Sequence, residues 1–306
     1  MRDWGSESVY ERPWGFVVNP LAGGGRGRQV WCALERLLVC TKVPYRAWIT
    51  QRPGEAVTLA REAVRRGVRA VVAIGGDGTV HEVVNGMWET GVPLGCVPAG
   101  SGNDFVRALK IPDEPAAAWN RLCAFHVRSL DLVRVNGEIV VNAAGIGLDG
   151  TVAAVVNRSP YKRWLNWLRI GKAAYVVGLL HVLARYEPLS ATLDVDGRAL
   201  RFPRTWLVAI SNLPFYGGGM NICPLAAGDD GQLDVCVVSG IGAGRLLRLF
   251  PRVFRGRHID DAAITLLRGK EIRLSLARPL PGHLDGELTV AATWTAQVLP
   301  RALKVL

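Results

Sequence analysis

Ala70–Gly86 reads AVVAIGGDGTVHEVVNG. Its first seven residues are apolar or glycine, as in a strand buried on both faces of a sheet. Asp77, Gly78 and Thr79 break that run, and a helix is expected from Val80 to Trp88. The glycines let the backbone turn tightly and come close to a phosphate, and a helix N-terminus offers it free N–H groups and partial positive charge. Asp77 stands among them, where a carboxylate would repel phosphate unless a cation lay between. That placement suggests Mg²⁺, a hard ion that prefers carboxylate and phosphate oxygens. An ordinary strand-to-helix turn with Thr79 as helix N-cap would use the same residues.

The pattern repeats on both sides of this stretch. Upstream, GFVVNP (Gly15–Pro20) and YRAWIT (Tyr45–Thr50) read as strands, each followed by a helical segment, Arg28–Val39 and Glu55–Arg66. Downstream, VPAGSGNDFVRAL (Val97–Leu109) forms a second turn of the same kind, in which Ser101 can donate to a phosphate while Asn103 and Asp104 open a helix. A third turn, NPLAGGGRGR (Asn19–Arg28), adds Arg26 and Arg28 as phosphate-contacting cations. Strands alternating with helices imply a parallel, helix-covered sheet, with ligands at the carboxyl ends of its strands.

After Val127 the character changes. SLDLVRV, EIVVNAAG, ATLDVDG, ALRFPRTWLVAISN, QLDVCVVSG, TLLRGKEIRLSLA and LTVAATWTAQVL read as strands, with turn dipeptides such as Asn136-Gly137 and Asp196-Gly197 between them. Helical stretches at Tyr161–Ala184 and Ala243–Phe254 interrupt them. The expectation is an α/β nucleotide-binding domain over residues 12–134, to which a strand in 294–306 returns. A β-rich, sandwich-like domain then covers 135–293, with the active site in the cleft between the two.

Several chemistries are excluded. No G-x-x-x-x-G-K-[ST] loop occurs, nor the H-R-D and D-F-G of protein kinases. The six cysteines have no paired spacing and the five histidines no H-x-x-x-H, so neither a zinc site nor a disulfide framework is indicated. GIGLDG (Gly145–Gly150) matches a dinucleotide fingerprint, yet the chain about 20 residues on is basic and aromatic, with no carboxylate to hold a ribose. The start of the chain lacks the basic-then-apolar order of a secretory signal, and Ala173–Ala184 is too short to cross a bilayer. A cytoplasmic protein is expected. The net charge of +11 favours an anionic partner: nucleic acid, a phosphate-rich ligand or an acidic membrane face.

GGDGTVHEVVNG, PAGSGNDFVRAL and the opening NP-x-A-G closely resemble the diacylglycerol kinase catalytic domain, shared by bacterial lipid kinases, sphingosine kinases and ceramide kinases. The similarity continues through SLDLVRVNG, NAAGIGLDG, SNLPFYGGGMNICPLAAGDDGQLDVCVV and HLDGEL, nearly the whole chain in the expected order. The resemblance implies ATP-dependent phosphorylation of a lipid hydroxyl, diacylglycerol foremost; other lipids (sphingoid base, ceramide, monoacylglycerol, polyprenol) or NAD are alternatives, and a non-catalytic lipid or nucleotide sensor a distant one. It assigns ATP to Asn19, Thr50, the run Gly76, Asp77, Gly78, Thr79 through Glu82, and Ser101. Asp77, Asp104 and Asp131 would surround the catalytic Mg²⁺. Asp230, with the backbone carbonyls of Ala227 and Gln232, would hold a second, structural Mg²⁺. Asp285 and Glu287 are both candidates for the base that takes the lipid's proton. Where the family often has a Lys after the NP motif, this chain has three glycines and then Arg26.

An enzyme acting on a lipid must reach an interface. SPYKRWLNWLRIGK (Ser159–Lys172) combines Lys162, Arg163, Arg169 and Lys172 with Trp164 and Trp167, as an interfacial helix does. AGRLLRLFPRVFRGRH (Ala243–His258) is a second basic stretch, read rather as a helix packed on the β domain. The expected partners are the lipid substrate at the membrane surface and anionic phospholipids, not nucleic acid, on the inner face of the membrane; a homodimer is left open.

Overall fold

The computed structural model describes residues 12–158, 182–183 and 185–306. The chain divides into two compact units, Met1–Leu130 with Arg301–Leu306, and Asp131–Pro300. The division falls within a strand, a little before the residue 134 at which sequence reading ended the first domain.

The first unit is built on β1 (Trp14–Val18), β2 (Tyr45–Ile49), β3 (Val71–Gly75) and β4 (Leu94–Pro98), all parallel in the order β2-β1-β3-β4. Every residue of β1, β3 and β4 is buried, so both faces of this sheet are covered. The cover comes from α1 (Ala22–Cys40), α2 (Glu55–Arg65), α3 (Asp77–Met87), α4 (Asp104–Ala108) and α5 (Pro115–Cys123), with α1 packed on α5 and α2 on α3. In α2 the spacing of Ala56, Ala60 and Ala63 sets a narrow buried stripe that admits a close neighbour. Helical bonding in α1 begins at Ala22, earlier than the expected Arg28, but Gly23–Gly25 hold positive φ and regular turns start only after them. Rings of Trp14, Phe16, Trp31 and Trp119 stack edge-on or tilted in the core, and the Arg69 guanidinium lies 4.7 Å over Trp14.

The second unit is antiparallel. Its strands are β5 (Arg128–Val135), β6 (Glu138–Val140), β7 (Ala143–Gly147), β8 (Leu189–Val195), β9 (Arg198–Ser211), β10 (Phe215–Tyr216), β11 (Met220–Asn221), β12 (Leu233–Ser239), β13 (Ile264–Gly269), β14 (Glu271–Leu284) and β15 (Glu287–Val305). The central path runs β13-β12-β9-β7-β14, and β8 pairs with both β9 and β14. Helices α6 (Leu148–Arg158) and α7 (Ala243–Val253) cover part of it. Because side chains alternate across a strand, Val235 and Val237 of β12 enter one apolar core with Ile210, Leu274 and Trp294. Cys236 and Val238 enter the other, with Leu148, Trp206 and Leu249. A strand with a core on each side explains the unbroken apolar run VCVV (Val235–Val238) in an antiparallel sheet. The expected helix Tyr161–Ala184 and the basic stretch Ser159–Lys172 lie outside the described residues apart from Val182 and Leu183.

Three turns share one design. Asn136-Gly137, Asp196-Gly197 and Asp285-Gly286 each place two successive residues at positive φ, the conformation that matches the twist of a hairpin. Each Asn or Asp then reaches across to backbone N–H groups of another strand. Asn136 Oδ1 accepts from Thr295, and Asp196 from Lys270 and Glu271. Asp285 accepts from Val141, Asn142 and Ala143 at 2.7–3.1 Å.

Candidate functional site

In the first unit, loops leaving β1, β3 and β4 are tied together. Asn19 Nδ2 donates to Thr79 Oγ1 at 3.1 Å, linking the first loop to α3. Thr79 is not the N-cap that an ordinary turn would make it; Gly76 occupies that position and Thr79 is buried inside the first turn. Asp77 is the first helical residue, and its Oδ1 accepts from the N–H of Phe105 at 3.0 Å. The β3–α3 and β4–α4 loops are thus one assembly. A Cβ on Gly100 would lie 2.4 Å from the Gly76 Cα, so both glycines serve loop-to-loop contact. Gly78 differs, because a Cβ there would meet nothing within 4 Å. It borders the open space in front of the helix N-terminus, the place for an anion.

The remaining residues of this set divide. Asn103 Oδ1 accepts from Gly100 N–H, fixing the loop before α4. Asp104 is buried and pairs with Arg107 at 2.5 Å. Ser101 is exposed. Thr50 is buried, its N–H donating to Val18 O. Glu82 spends both oxygens on the start of α2, accepting from Gly54 and Ala56 N–H at 3.0 Å each. It therefore holds α2 to α3, a use that sequence reading did not foresee.

In the second unit, buried Asp131 accepts from Gly231 N–H at 2.7 Å, while its own N–H donates to Gly228 O. It pins the loop containing Ala227, Asp230 and Gln232. Asp230 Oδ1 accepts from Gln232 N–H at 3.0 Å, and its Oδ2 pairs with Arg268. Arg268 also reaches buried Asp234 at 3.3 Å. Burial pushes the Asp234 carboxyl up, against the pull of Arg268, and its Oδ2 has no hydrogen-bond partner among the described residues. These residues carry oxygen atoms of the kind a hard divalent cation prefers, with the Arg268 guanidinium now against both carboxylates. Among the described residues, no group of three or more His, Cys, Asp or Glu side chains could hold a metal ion. A magnesium ion at either place would need carbonyls, waters or phosphates as well, as that ion commonly does.

Asp285 and Glu287 also part company. The Asp285 carboxylate is committed to three backbone N–H groups. Glu287 is exposed at the start of β15. Between Gly145 and Gly150, the glycine pattern joins β7 to α6, but both sheet neighbours of β7 are antiparallel, which removes the dinucleotide reading.

One arrangement was missed from sequence. His283 Nε2 and Asp149 Oδ2 lie 2.5 Å apart, both buried, and a Cβ on Gly145 would come within 2.5 Å of each. Burial lowers the His283 pKa, but attraction from Asp149, its hydrogen bond and Asp285 outweigh that and hold it raised. The signal was a polar His on an inward strand position, overshadowed by the acidic residues beside it. Asp149 also lines a small apolar pocket with Leu148, Leu207, Ile222, Leu249 and Ile264.

Comparison with known proteins places these features. Residues 13–135 match the diacylglycerol kinase catalytic domain model, and 142–306 the YegS C-terminal NAD kinase beta sandwich-like domain. A Bacillus subtilis protein named "Putative lipid kinase YtlR" is 30% identical over 95% of this chain and 98% of its own. A diacylglycerol kinase of Mycobacterium tuberculosis is 31% identical over 82% of this chain and 81% of its own. The crystal structure of a diacylglycerol kinase from Bacillus anthracis matches with a TM-score of 0.72 at 22% identity, covering 96% of each chain, a likeness of fold.

Proposed function

The chain belongs to the diacylglycerol kinase catalytic-domain family with a YegS-type C-terminal domain, and on that premise we propose that it transfers the γ-phosphate of ATP to a lipid hydroxyl, diacylglycerol foremost. The observation that carries this reading is the joined pair of glycine loops, with Asp77 bridging to the N–H of Phe105 and Gly78 facing open space at a helix N-terminus. Phosphoryl transfer asks for positioning and charge neutralisation rather than a covalent nucleophile. Loops locked by Asn19, Asn103 and Asp77 supply the first, since backbone N–H groups need no reorganisation to meet a phosphate. Bound magnesium would neutralise the triphosphate oxygens, with Asp77 and Asp104 as its carboxylates in this unit. Asp230 would hold the second ion.

For the base, Glu287 is favoured. A proton acceptor needs an uncommitted lone pair, and Asp285 already accepts three N–H groups, as a staple between strands. The relatives named lipid kinase or diacylglycerol kinase favour a lipid over NAD as the acceptor. The test is ATP labelled at the γ-phosphate, offered a panel of lipids in mixed micelles and, separately, NAD. Label in diacylglycerol is the expected result. Label in NAD alone, or in no acceptor, would overturn the reading.

A further inference from the structure

The outer face of the second unit's sheet carries a polar hollow of about 380 Å³, at the lower end of the roughly 300–1,000 Å³ that small-molecule sites occupy. It is lined by Arg134 of β5, Asp194 of β8, Glu271 and Arg273 of β14, and Thr295 and Gln297 of β15, beside the Asn136-Gly137 turn. Alternation along the strands puts these side chains outside, because Val133, Val135, Leu193, Ile272, Leu274 and Ala296 between them belong to the apolar core. Two side-chain staples fix the walls. Asn136 Oδ1 accepts from the N–H and the hydroxyl of Thr295, and Asp196 accepts from the N–H of Glu271. On an ordinary solvated sheet face, opposite charges would pair across the strands. Arg273 stands opposite Asp194 in the register, yet Asp194 Oδ1 accepts instead from Gly197 N–H at 3.0 Å. Glu271 stands opposite Gln297 and accepts from its Nε2 at 3.3 Å. Neither Arg134 nor Arg273 has an acidic partner within 4.0 Å among the described residues. The hollow therefore presents two guanidiniums without counter-ions, beside two carboxylates that each keep one oxygen uncommitted.

We propose that this hollow binds a small hydrophilic metabolite in which an oxyanion, phosphate or carboxylate, is joined to hydroxyl or ammonium donors. Arg134 and Arg273 take the oxyanion, since a guanidinium presents its N–H groups in a fork that matches two oxygens. Asp194 and Glu271 take the donors, and they repel an anion that brings none. Charge of both signs in one hollow thus selects for a ligand that carries both functions. The site involves none of the glycine loops and neither Asp285 nor Glu287, so it stands or falls separately from the lipid-kinase reading.

The test is calorimetric titration of the full chain with three probes. They are sn-glycerol 3-phosphate, glutamate, and sulfate as an oxyanion without donors. At least one of the first two should bind with a Kd of about 1 mM or tighter, and about tenfold more tightly than sulfate. Binding of glycerol 3-phosphate alone names phosphate as the oxyanion, and binding of glutamate alone names carboxylate. Arg134→Gln and Arg273→Gln should each weaken that probe about 10- to 100-fold. Arg201→Gln, at an exposed arginine of β9 outside the hollow, should leave it unchanged. Glu271→Gln should narrow the preference over sulfate, because it removes a contact to the donors and a repulsion of the bare anion together. All four variants should keep the wild-type Tm, so that a lost signal is not a lost fold. With the probe bound, amide exchange should slow at residues 136–140 and 270–273. Failure of both probes to bind overturns the proposal, as does equal weakening by Arg201→Gln and Arg273→Gln. Sulfate bound as tightly as the better probe also overturns it, leaving only general attraction to a cationic chain. Slowed exchange confined to the glycine loops of the first unit overturns it too and puts the probe in the nucleotide site.

Discussion

Asp285 and Glu287 sit two residues apart, yet their surroundings assign them opposite work. Asp285→Asn keeps the shape but removes the charge that three backbone N–H groups share. Hydrogen bonds to a charged group are worth about 1.5–3 kcal/mol each, so a stability loss on the order of 2–4 kcal/mol is expected by denaturant titration. Glu287→Gln should leave stability alone and lower kcat about 10²–10⁴-fold, with little change in KM for ATP. Unchanged kcat in Glu287→Gln would remove it as the base. The glycines separate in the same way. Gly100→Ala drives a methyl into the Gly76 backbone and should unfold the loop pair, lowering Tm. Gly78→Ala should fold normally and weaken ATP binding, measured by calorimetry, because the added methyl occupies only the space before the helix. Wild-type ATP affinity in Gly78→Ala would mean that no phosphate sits there.

Elements of the second unit carry two buried histidines with opposed responses to pH. His258, beside α7, is held low by burial, against a hydrogen bond to Ile222 O. Its contribution to stability is present above the ordinary imidazole value and lost as pH falls through its lowered one. His283 on β14 is raised, so its contribution is full below about pH 6.5 and fades as pH climbs through the higher folded value. His258→Gln should therefore flatten the acid limb of a Tm-against-pH curve. His283→Gln breaks a buried pair, costing about 3–5 kcal/mol, more visibly at pH 6 than at pH 9. Identical profiles for the two variants would refute the assignment. Sequence made the elements legible because their causes are local: Ala70–Gly76 could only be a doubly covered strand, and Asp196-Gly197 only a turn. The Glu82 cap on α2 and the His283–Asp149 pair were illegible, since each joins residues far apart in the chain through contacts that no local pattern encodes. Gly76 and Gly100 were legible as glycines that mattered, but their close approach to each other, between two loops, was not.

At the scale of the whole molecule, the first unit is completed out of order. Its sheet gains its outer strand from Arg301–Leu306, with Val305 aligned beside Leu94 and Leu306 N–H donating to Leu94 O. Leu303 and Val305 are buried there. Deleting Arg301–Leu306 should thus speed amide exchange in β3 and β4 and reduce ATP binding, while β9 and β12 keep their protection. Uniform loss of protection in all four strands would count against two separable units. The arrangement also has a consequence in time. A ribosome making about 5–20 residues per second needs roughly 10–40 s to travel the roughly 200 residues from β4 to its partner strand. Throughout that interval β4 is a bare parallel edge, able to recruit any extended segment that passes. What is wired into the fold is a waiting period, during which the nascent chain depends on the following antiparallel strands folding among themselves, or on a chaperone, to leave that edge alone.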